Sequence, residues 1–348
     1  MKRPFLFLFC IMLAFCVGAL AQTKNGKIIY ARFTSASILG NPGGEDPIRR
    51  LSIYLPPDYD KSNLHYPVVY LLHGYGGEDS STMADIGFKD LIDAAILAGR
   101  IKPFILVLPN SYTRFKGSFY TNSPLTGNWS DYIAKDVVGY MDRHFRTIRN
   151  RDSRGICGIS MGGNGALKIA MLFPDIFGCV YAMTPAVLNW SDGNNTGLST
   201  FKEIDTARTE SGIFSDARRA LYMDLGRTYS PNLNKPPFYA DMPASYVGDS
   251  LVVDNIVVKK WEANFPTMMI ESHVAALKSL NAIKLEWGRN DEGKHVPVTC
   301  LEFSKKLERY GIKHFAEEYL GGHAGNLDGW DGRVYTELLP FFDAYLKW

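Results

Sequence analysis

Cysteine is scarce in this 348-residue chain, and its distribution argues against two classes of protein. Of the five cysteines, Cys10 and Cys16 lie in the N-terminal apolar run, which leaves Cys157, Cys179 and Cys300. Three scattered cysteines do not indicate a disulfide framework or a cysteine zinc site. Cys157 and Cys179 lie in apolar runs, so we expect both to be small buried hydrophobic residues rather than nucleophiles.

An excess of charge is also absent, as are the motifs of cofactor sites. Lys and Arg number 38 against 36 Asp and Glu, a formal net charge of +2, which gives no indication of a nucleic-acid partner. There is no H-x-x-x-H or H-E-x-x-H pair and no G-x-G-x-x-G or phosphate-binding loop. The sequence therefore predicts a protein that needs neither a metal nor another cofactor.

Long apolar runs are absent beyond the N-terminus. The opening "MKRPFLFLFCIMLAFCVGALAQ" combines a basic start, an apolar run and a small-x-small site, which is typical of a signal peptide. We expect residues 1–21 to be cleaved after Ala21 and the protein to be exported, either to the periplasm or outside the cell. The apolar run is short for a membrane span, so no integral span is expected after cleavage. A lipid anchor on Cys16 is less favoured because bulky Phe15 precedes it.

Short apolar runs alternate with helical patterns along the rest of the chain. This alternation predicts an α/β fold, a mainly parallel sheet with helices on both faces, with an antiparallel start in the first two strands. The interval 186–282 is too long for a simple crossover between strands. We therefore predict a single domain over residues 22–348, with residues 186–282 inserted as a cap over the functional site. The oligomeric state is left open.

One stretch, "GICGISMGGNGALKIAMLFP" at residues 155–174, carries the main functional signal. Its G-x-S-x-G core follows an apolar strand and precedes a helix, which is the context that a nucleophilic serine at a strand-to-helix corner requires. Such a corner leaves no room for side chains at Gly158 and Gly162, and Gly163 allows the helix to pack closely on the sheet. Ser160 is therefore the candidate nucleophile.

A serine nucleophile needs a base, and a third group that orients the base. Of seven histidines, only His323 lies just past the final predicted strand, on the glycine-rich turn "LGGHAGN", so it is the candidate base. Asp291 ends the strand "IKLEWGRND" and is the candidate acid, with Glu292 as the runner-up. Asp328 and Asp331 are more distant possibilities.

Two backbone N–H groups are expected to stabilise the developing oxyanion. Met161 follows the serine at the start of its helix, where free N–H groups point outward. Tyr75, in the loop "LLHGYGGED", is the second candidate donor. We interpret His73 in the same loop as a structural, hydrogen-bonded residue rather than a base.

Six motifs together resemble the esterase D and feruloyl esterase group of the α/β-hydrolases, which includes carbohydrate esterase family one. They cover roughly residues 27–185 and 283–346 and are "LSIYLPPDYD", "YPVVYLLHGYGG", "GNWSDYIAKDVVGYMDRHFRT", "CGISMGGNGALKIAMLFPDIFG", "GRND" and "YLGGHAGN". The resemblance implies an α/β-hydrolase fold and assigns Ser160, Asp291 and His323 as nucleophile, acid and base. It also places the oxyanion donors at Tyr75 and Met161.

Together these features predict an exported serine carboxylesterase that acts on acetyl or hydroxycinnamoyl esters of plant polysaccharide. Trp190 and Trp261 in the insertion are candidate substrate-binding residues, although aromatic residues more often fill a core. Ser250 lies in a Gly-Asp-Ser-Leu stretch but lacks the context of that other hydrolase class. The alternatives are a periplasmic siderophore esterase, an S-formylglutathione hydrolase, an acyltransferase and a non-catalytic carbohydrate-binding member of the fold.

Overall fold

The computed structural model describes residues 25–190 and 196–348, so the predicted signal peptide lies outside the described residues. A large sheet of eight strands forms the centre of the molecule, with two short two-stranded ribbons beside it. The strands are β1 (Lys27–Thr34), β2 (Ile48–Leu55), β3 (Val68–Leu72), β4 (Ile105–Pro109), β5 (Asn122–Ser123), β6 (Gly127–Asn128), β7 (Arg154–Ile159), β8 (Cys179–Met183), β9 (Ala244–Val247), β10 (Ser250–Val253), β11 (Ala282–Gly288) and β12 (Phe315–Tyr319).

Helices fill the intervals between the strands of the large sheet. The α-helices are α1 (Asp79–Asp85), α2 (Phe88–Leu97), α3 (Trp129–Asp131), α4 (Val138–His144), α5 (Met161–Leu172), α6 (Thr196–Thr206), α7 (Glu210–Phe214), α8 (Ala217–Tyr229), α9 (Asn255–Glu262), α10 (Pro266–Met269), α11 (Val274–Ser279), α12 (His295–Arg309) and α13 (Leu339–Tyr345). Two π-helical turns, Tyr132–Val137 and Val334–Leu338, lead into α4 and α13. No helix among these described residues is long and apolar enough to cross a membrane.

The order of the large sheet is β1-β2-β4-β3-β7-β8-β11-β12. β1 and β2 pair antiparallel, and β2 pairs antiparallel with β4. All the remaining pairs of this sheet are parallel. The prediction of a mainly parallel α/β sheet with an antiparallel start is therefore confirmed.

Both faces of the inner strands β3, β4, β7, β8 and β11 are buried, as parallel sheets require, whereas the edge strands β1 and β12 are partly exposed. Alternate residues of β3 enter different cores. Val68 and Tyr70 belong to the core that contains residues of α5, whereas Val69 and Leu71 belong to the core that contains residues of α1, α2 and α13. Cys157, in β7, lies in the second core and is fully buried. Burial raises the pKa of its thiol well above the usual value, which makes it an unreactive core residue, as expected.

The segment between β8 and β11 contains helices α6–α11 and the ribbon β9–β10. Its first part has a small core of its own, in which Ile204, Ile213 and Met223 pack with Phe115 from the loop after β4. Its later part is continuous with the main core, because α10 and α11 pack on α5. The segment is therefore anchored on the helix that follows Ser160.

A buried histidine fixes the loop that follows β3. His73 is fully buried; its Nδ1–H donates to the Gly74 carbonyl oxygen at 2.9 Å, and its Nε2 accepts from the Ser111 N–H at 2.9 Å. Burial lowers the pKa of His73 to about 4, so the ring is neutral at pH 7. Both ring nitrogens form hydrogen bonds with backbone groups, so His73 has a structural role.

His73 predicts a particular loss of stability in acid. Below pH 6.5 the unfolded chain takes up a proton that the folded ring rejects until about pH 4, so stability that is present above pH 6.5 is lost as the pH falls towards 4. Relative to His73→Gln, the native chain should lose about 2 kcal/mol more unfolding free energy between pH 7 and pH 4.5. Urea unfolding at both pH values measures this difference.

The control for that experiment is His65→Gln, since His65 is exposed. This variant should keep the pH dependence of the native chain. If the unfolding free energies of the native chain and His73→Gln changed equally with pH, this would contradict a His73 that stays neutral in the folded protein.

Candidate active site

Ser160 occupies a strained corner between β7 and α5. Its backbone has φ 58° and ψ −115°, a conformation that costs a non-glycine residue about 1–3 kcal/mol. A Cβ on Gly158 would lie 2.2 Å from the carbonyl carbon of Gly162, and one on Gly162 would lie 2.0 Å from the Leu72 carbonyl oxygen. The structure thus confirms why the corner requires glycine on both sides of the serine.

The corner is held from the neighbouring strand as well. The Ser160 N–H donates to the carbonyl oxygen of Met183, at the end of β8, at 2.9 Å. The buried amide of Asn164, one turn into α5, donates to the carbonyl oxygens of Ala186 at 3.0 Å and Val187 at 2.8 Å. These bonds connect the loop after β8 to the helix that carries the serine.

A chain of two hydrogen bonds connects Ser160 to a buried carboxylate. His323 Nε2 lies 2.7 Å from Ser160 Oγ, and His323 Nδ1 lies 2.7 Å from Asp291 Oδ2. Asp291 is fully buried, and its Oδ1 accepts from the Gly293 N–H at 2.7 Å. With Nδ1–H donating to the carboxylate, Nε2 is left to accept from the serine hydroxyl. The structure therefore brings together all three residues selected from the sequence.

The loops after β11 and β12 make this meeting possible. Because these strands are parallel neighbours, their carboxyl ends lie at the same edge of the sheet. A Cβ on Gly288 would lie 2.4 Å from the Gly321 carbonyl oxygen, and the Asn290 N–H donates to that same oxygen at 2.9 Å. The two loops run in contact, which places Asp291 and His323 side by side.

Glu292, the runner-up for the acid, has a different position. Its Oε2 accepts from the backbone N–H of His323 at 3.0 Å, and this bond lowers the pKa of the carboxyl group. Glu292 therefore contacts the histidine loop and not the imidazole ring. Sequence analysis missed this role, because a bond from a side chain to another loop's backbone leaves no mark in residue spacing.

The two candidate oxyanion donors flank the serine. Among the residues that the structure describes, neither the Tyr75 N–H nor the Met161 N–H donates to another part of the chain. A Cβ on Gly74 would lie 3.6 Å from Ser160 Cβ, so the loop of Tyr75 runs directly beside the serine. The Gly76 N–H donates to the Lys116 carbonyl oxygen at 2.9 Å and fixes that loop. Two free N–H groups can thus face the space above Ser160.

The predicted substrate-binding role of Trp261 is wrong. Trp261 is 1% exposed, its Nε1–H donates to Ser230 Oγ at 2.8 Å, and it packs in the main core. A side chain this deeply buried fills the core and does not contact substrate. Trp190 is half-buried, stacks on Trp261 with ring centroids 5.8 Å apart, and donates to Glu262 at 3.0 Å. Its role in binding substrate stays a prediction.

The other candidates form no second site. Ser250 lies exposed at the start of β10, and no histidine within the described ranges bonds to it. Cys179 and Cys300 are fully buried. Among residues 25–190 and 196–348, no group of three metal-ligating side chains is found, and the independence from metal stays a prediction.

This arrangement has a defined chemical capacity. An imidazole that accepts from a serine hydroxyl, and whose other nitrogen is held by a buried carboxylate, can remove the hydroxyl proton as the oxygen attacks. N–H groups beside the same hydroxyl can hold the negative charge that forms on a carbonyl oxygen. The site is therefore suited to acyl transfer from an ester or a related carbonyl compound.

Known proteins resemble this chain in sequence. An esterase of Mycobacterium tuberculosis (strain H37Rv) is 36% identical over 152 residues, which cover 42% of this chain and 30% of that protein. An endo-1,4-beta-xylanase/feruloyl esterase of Xylanibacter ruminicola is 31% identical over 133 residues, 36% of this chain and 18% of that protein. The chain thus spans less than a third of the length of these curated relatives.

The fold and the family follow from two further comparisons. A solved ferulic acid esterase matches with a TM-score of 0.62 at 20% identity, covering 92% of this chain and 99% of that structure, a similarity that shows the α/β-hydrolase fold. The family model described as "Putative esterase" matches residues 47–339, which is most of the chain. The protein therefore belongs to this esterase family of the α/β-hydrolase group.

Proposed function

We propose that this protein is a serine carboxylesterase in which Ser160, His323 and Asp291 act as nucleophile, base and orienting acid. The observation that carries the proposal is the pair of 2.7 Å hydrogen bonds running from the Ser160 hydroxyl to the buried carboxylate. Tyr75 and Met161 supply the oxyanion N–H groups. Membership of the esterase family supports the reaction class.

The reaction proceeds in two acyl-transfer steps. Ser160 Oγ attacks the ester carbonyl carbon while its proton moves to His323 Nε2, and the carbonyl oxygen becomes an oxyanion held by the two N–H groups. His323 then gives the proton to the leaving alcohol oxygen, and the C–O bond breaks to leave an acyl-serine. Water attacks the acyl-serine with His323 again as base, which releases the acid and restores Ser160.

Asp291 makes both proton transfers possible. Its carboxylate accepts from Nδ1–H, which keeps Nε2 free in the neutral ring and stabilises the imidazolium that forms. Full burial keeps water from competing for this bond. The second bond, from the Gly293 N–H to Oδ1, holds the other oxygen of the carboxylate and so restrains its rotation.

The proposed substrate is an acetyl or hydroxycinnamoyl ester of plant polysaccharide, met after export. Three observations support this substrate class. One relative is named as a xylanase/feruloyl esterase, and a solved ferulic acid esterase shares the fold. The N-terminal 21 residues have the pattern of a signal peptide. The half-buried aromatic ring of Tyr75 also lies in the loop after β3, where it packs on Phe119 with ring centroids 6.4 Å apart.

Replacement of the nucleophile tests the reaction class. Ser160→Ala removes the attacking oxygen, so kcat for p-nitrophenyl acetate should fall by roughly 10⁶-fold and labelling by a fluorophosphonate probe should be lost. Ser250→Ala is the matched control, because that serine is exposed on β10 and should leave both signals at the native level. Activity that survives in a correctly folded Ser160→Ala protein would refute the assignment.

Variants of two adjacent acidic residues distinguish the proposed orienting role of Asp291 from the backbone contact of Glu292. Asp291→Asn should lower kcat by roughly 10⁴-fold, because an amide favours the wrong imidazole tautomer. Glu292→Gln changes only an exposed bond to backbone and should lower kcat by less than about fivefold. Equal effects of the two variants, measured with p-nitrophenyl acetate, would remove Asp291 from its proposed role.

The substrate class is tested by comparing kcat/KM on methyl ferulate, acetylated xylan and a short-chain aryl ester. We expect methyl ferulate or acetylated xylan to exceed the aryl ester by at least about tenfold, since interactions with the natural acyl or alcohol group stabilise the transition state. A flat profile would remove the plant-polysaccharide substrate while leaving the esterase chemistry intact.

A further inference from the structure

An ion cluster that the proposed chemistry does not use lies beside β11 and β12 and consists of Glu286, Glu317 and Arg333. Glu286 of β11 and Glu317 of β12 stand directly opposite one another in the parallel pairing of these strands. The Glu286 side chain is 0% exposed, and that of Glu317 is 40% exposed. Like charges at opposite positions of neighbouring strands repel each other. The two carboxylates therefore need a cation that binds both.

Arg333 supplies that cation from a third segment of the chain. Its Nε and Nη2 donate to Glu286 Oε2 at 2.8 and 2.6 Å, and Nη2 also lies 2.8 Å from Glu317 Oε2. Burial raises the pKa of Glu286, and the bonds from Arg333 are the largest influence in the opposite direction. Arg333 thus favours the charged form of the buried carboxyl group and connects two strands through one guanidinium.

The two strands joined in this way are those whose following loops carry the acid and the base. β11 leads to Asp291, and β12 leads to His323. The loop after β12, residues 320–332, has five glycines in 13 positions, at 321, 322, 325, 329 and 332, so its own backbone gives it little rigidity. His323 must nevertheless keep its two 2.7 Å bonds, to Ser160 and to Asp291. The position of the base therefore depends on contacts that hold this loop from outside.

Arg333 holds the loop at both of its ends. It is the first residue after the loop, and its guanidinium lies over the ring of Tyr319, the last residue before the loop, 4.5 Å from the ring centroid. The Arg333 N–H donates to the Asn326 carbonyl oxygen, inside the loop, at 2.6 Å. One residue thus contacts the start, the middle and the end of the loop, and the same residue is bonded to the strand that leads to Asp291.

We propose that Arg333 is a positioning residue of the esterase reaction, which keeps His323 at its bonding distance from Ser160. It does so by fixing the loop after β12 to the two carboxylates of the ion cluster. This inference rests on the proposed function, because it needs His323 to be the base. The cluster acts on the reaction through the loop, by limiting the movement of the imidazole between the serine hydroxyl and the Asp291 carboxylate.

A contribution to stability alone does not explain the cluster. Moving an ion pair out of water costs about as much free energy as the pair gains, so apolar side chains of similar size often serve stability equally well. Lys284 of β11 already lies 3.2 Å from Glu317 and balances the charge of that carboxylate. The contact of Arg333 with Glu317 is therefore not required for charge balance. What it adds is a fixed direction, because a planar guanidinium donates only along a rigid fork.

The test removes the cluster without leaving a buried charge unpaired. In Glu286→Gln/Arg333→Met, the new amide oxygen can still accept from the Tyr181 hydroxyl. We expect kcat for p-nitrophenyl acetate to fall about 100-fold, because a displacement of about 1 Å at a catalytic group has an effect of this size. KM should change less than about threefold, since no group that binds the substrate is altered.

The matched control is Asp142→Asn/Arg154→Met, which removes another buried ion pair in the same way. Arg154 Nη2 donates to Asp142 Oδ2 at 2.6 Å. This pair lies at the start of β7, about 20 Å along the strand from Ser160. The control variant should keep the native kcat and KM, whatever its loss of stability.

A single substitution on β12 tests the same inference without disturbing the buried carboxylate. Glu317→Gln removes only the bond of the cluster to β12 and leaves Arg333 on Glu286, so it should fold. Its kcat should fall about fivefold with KM unchanged. Glu318→Gln is its control and should keep the native kcat, because Glu318 bonds instead to the exposed side chain of Arg289.

The outcomes separate this inference from the proposed function. A native kcat in the folded double variant of the cluster, or in Glu317→Gln, overturns the inference. An equal fall of kcat in the two double variants, or a rise in KM in place of a fall in kcat, overturns it as well. Turnover by the native protein that persists in Ser160→Ala would instead refute the proposed function.

Discussion

The strained backbone of Ser160 is the constraint on which the rest of the site depends. A φ of 58° at a non-glycine residue persists only if the surrounding structure enforces it. Here β7 lies between β3 and β8, the Ser160 N–H is bonded to the end of β8, and glycines at 158 and 162 let backbone approach backbone. This backbone conformation fixes the position of the Ser160 hydroxyl, to which His323 and then Asp291 are linked by hydrogen bonds.

The parallel sheet supplies those other groups from one edge. β3, β7, β11 and β12 all end at the same side, so the loops that follow them carry Tyr75, Ser160, Asp291 and His323 into one region. These residues are up to 248 positions apart in sequence, and only the strand order makes them neighbours. A parallel sheet with its ligand site at the carboxyl ends of the strands is a general solution to this problem.

Sequence reasoning reached the sheet, the corner and the three hydrogen-bonded residues because each depends on local patterns. Buried strands appear in the sequence as apolar runs, and the corner at Ser160 requires glycines that stand at fixed positions beside the serine. The prediction for Trp261 is wrong because an aromatic residue looks the same in a sequence whether it fills a core or lines a surface. The bond of Glu292 to the His323 backbone depends on a contact between two distant segments, so the spacing of residues in the sequence does not reveal it.

The segment between β8 and β11 fixes the position of the helix that follows Ser160. The helices α10 and α11 pack on α5, and the Asn164 side chain bonds to the loop after β8, so α5 is held from both sides of Ser160 in the sequence. Next to that helix, Gly117 leaves room for Asp224 of α8, Met161 and Tyr75 to approach one another, so the segment also packs against the loop that follows β3.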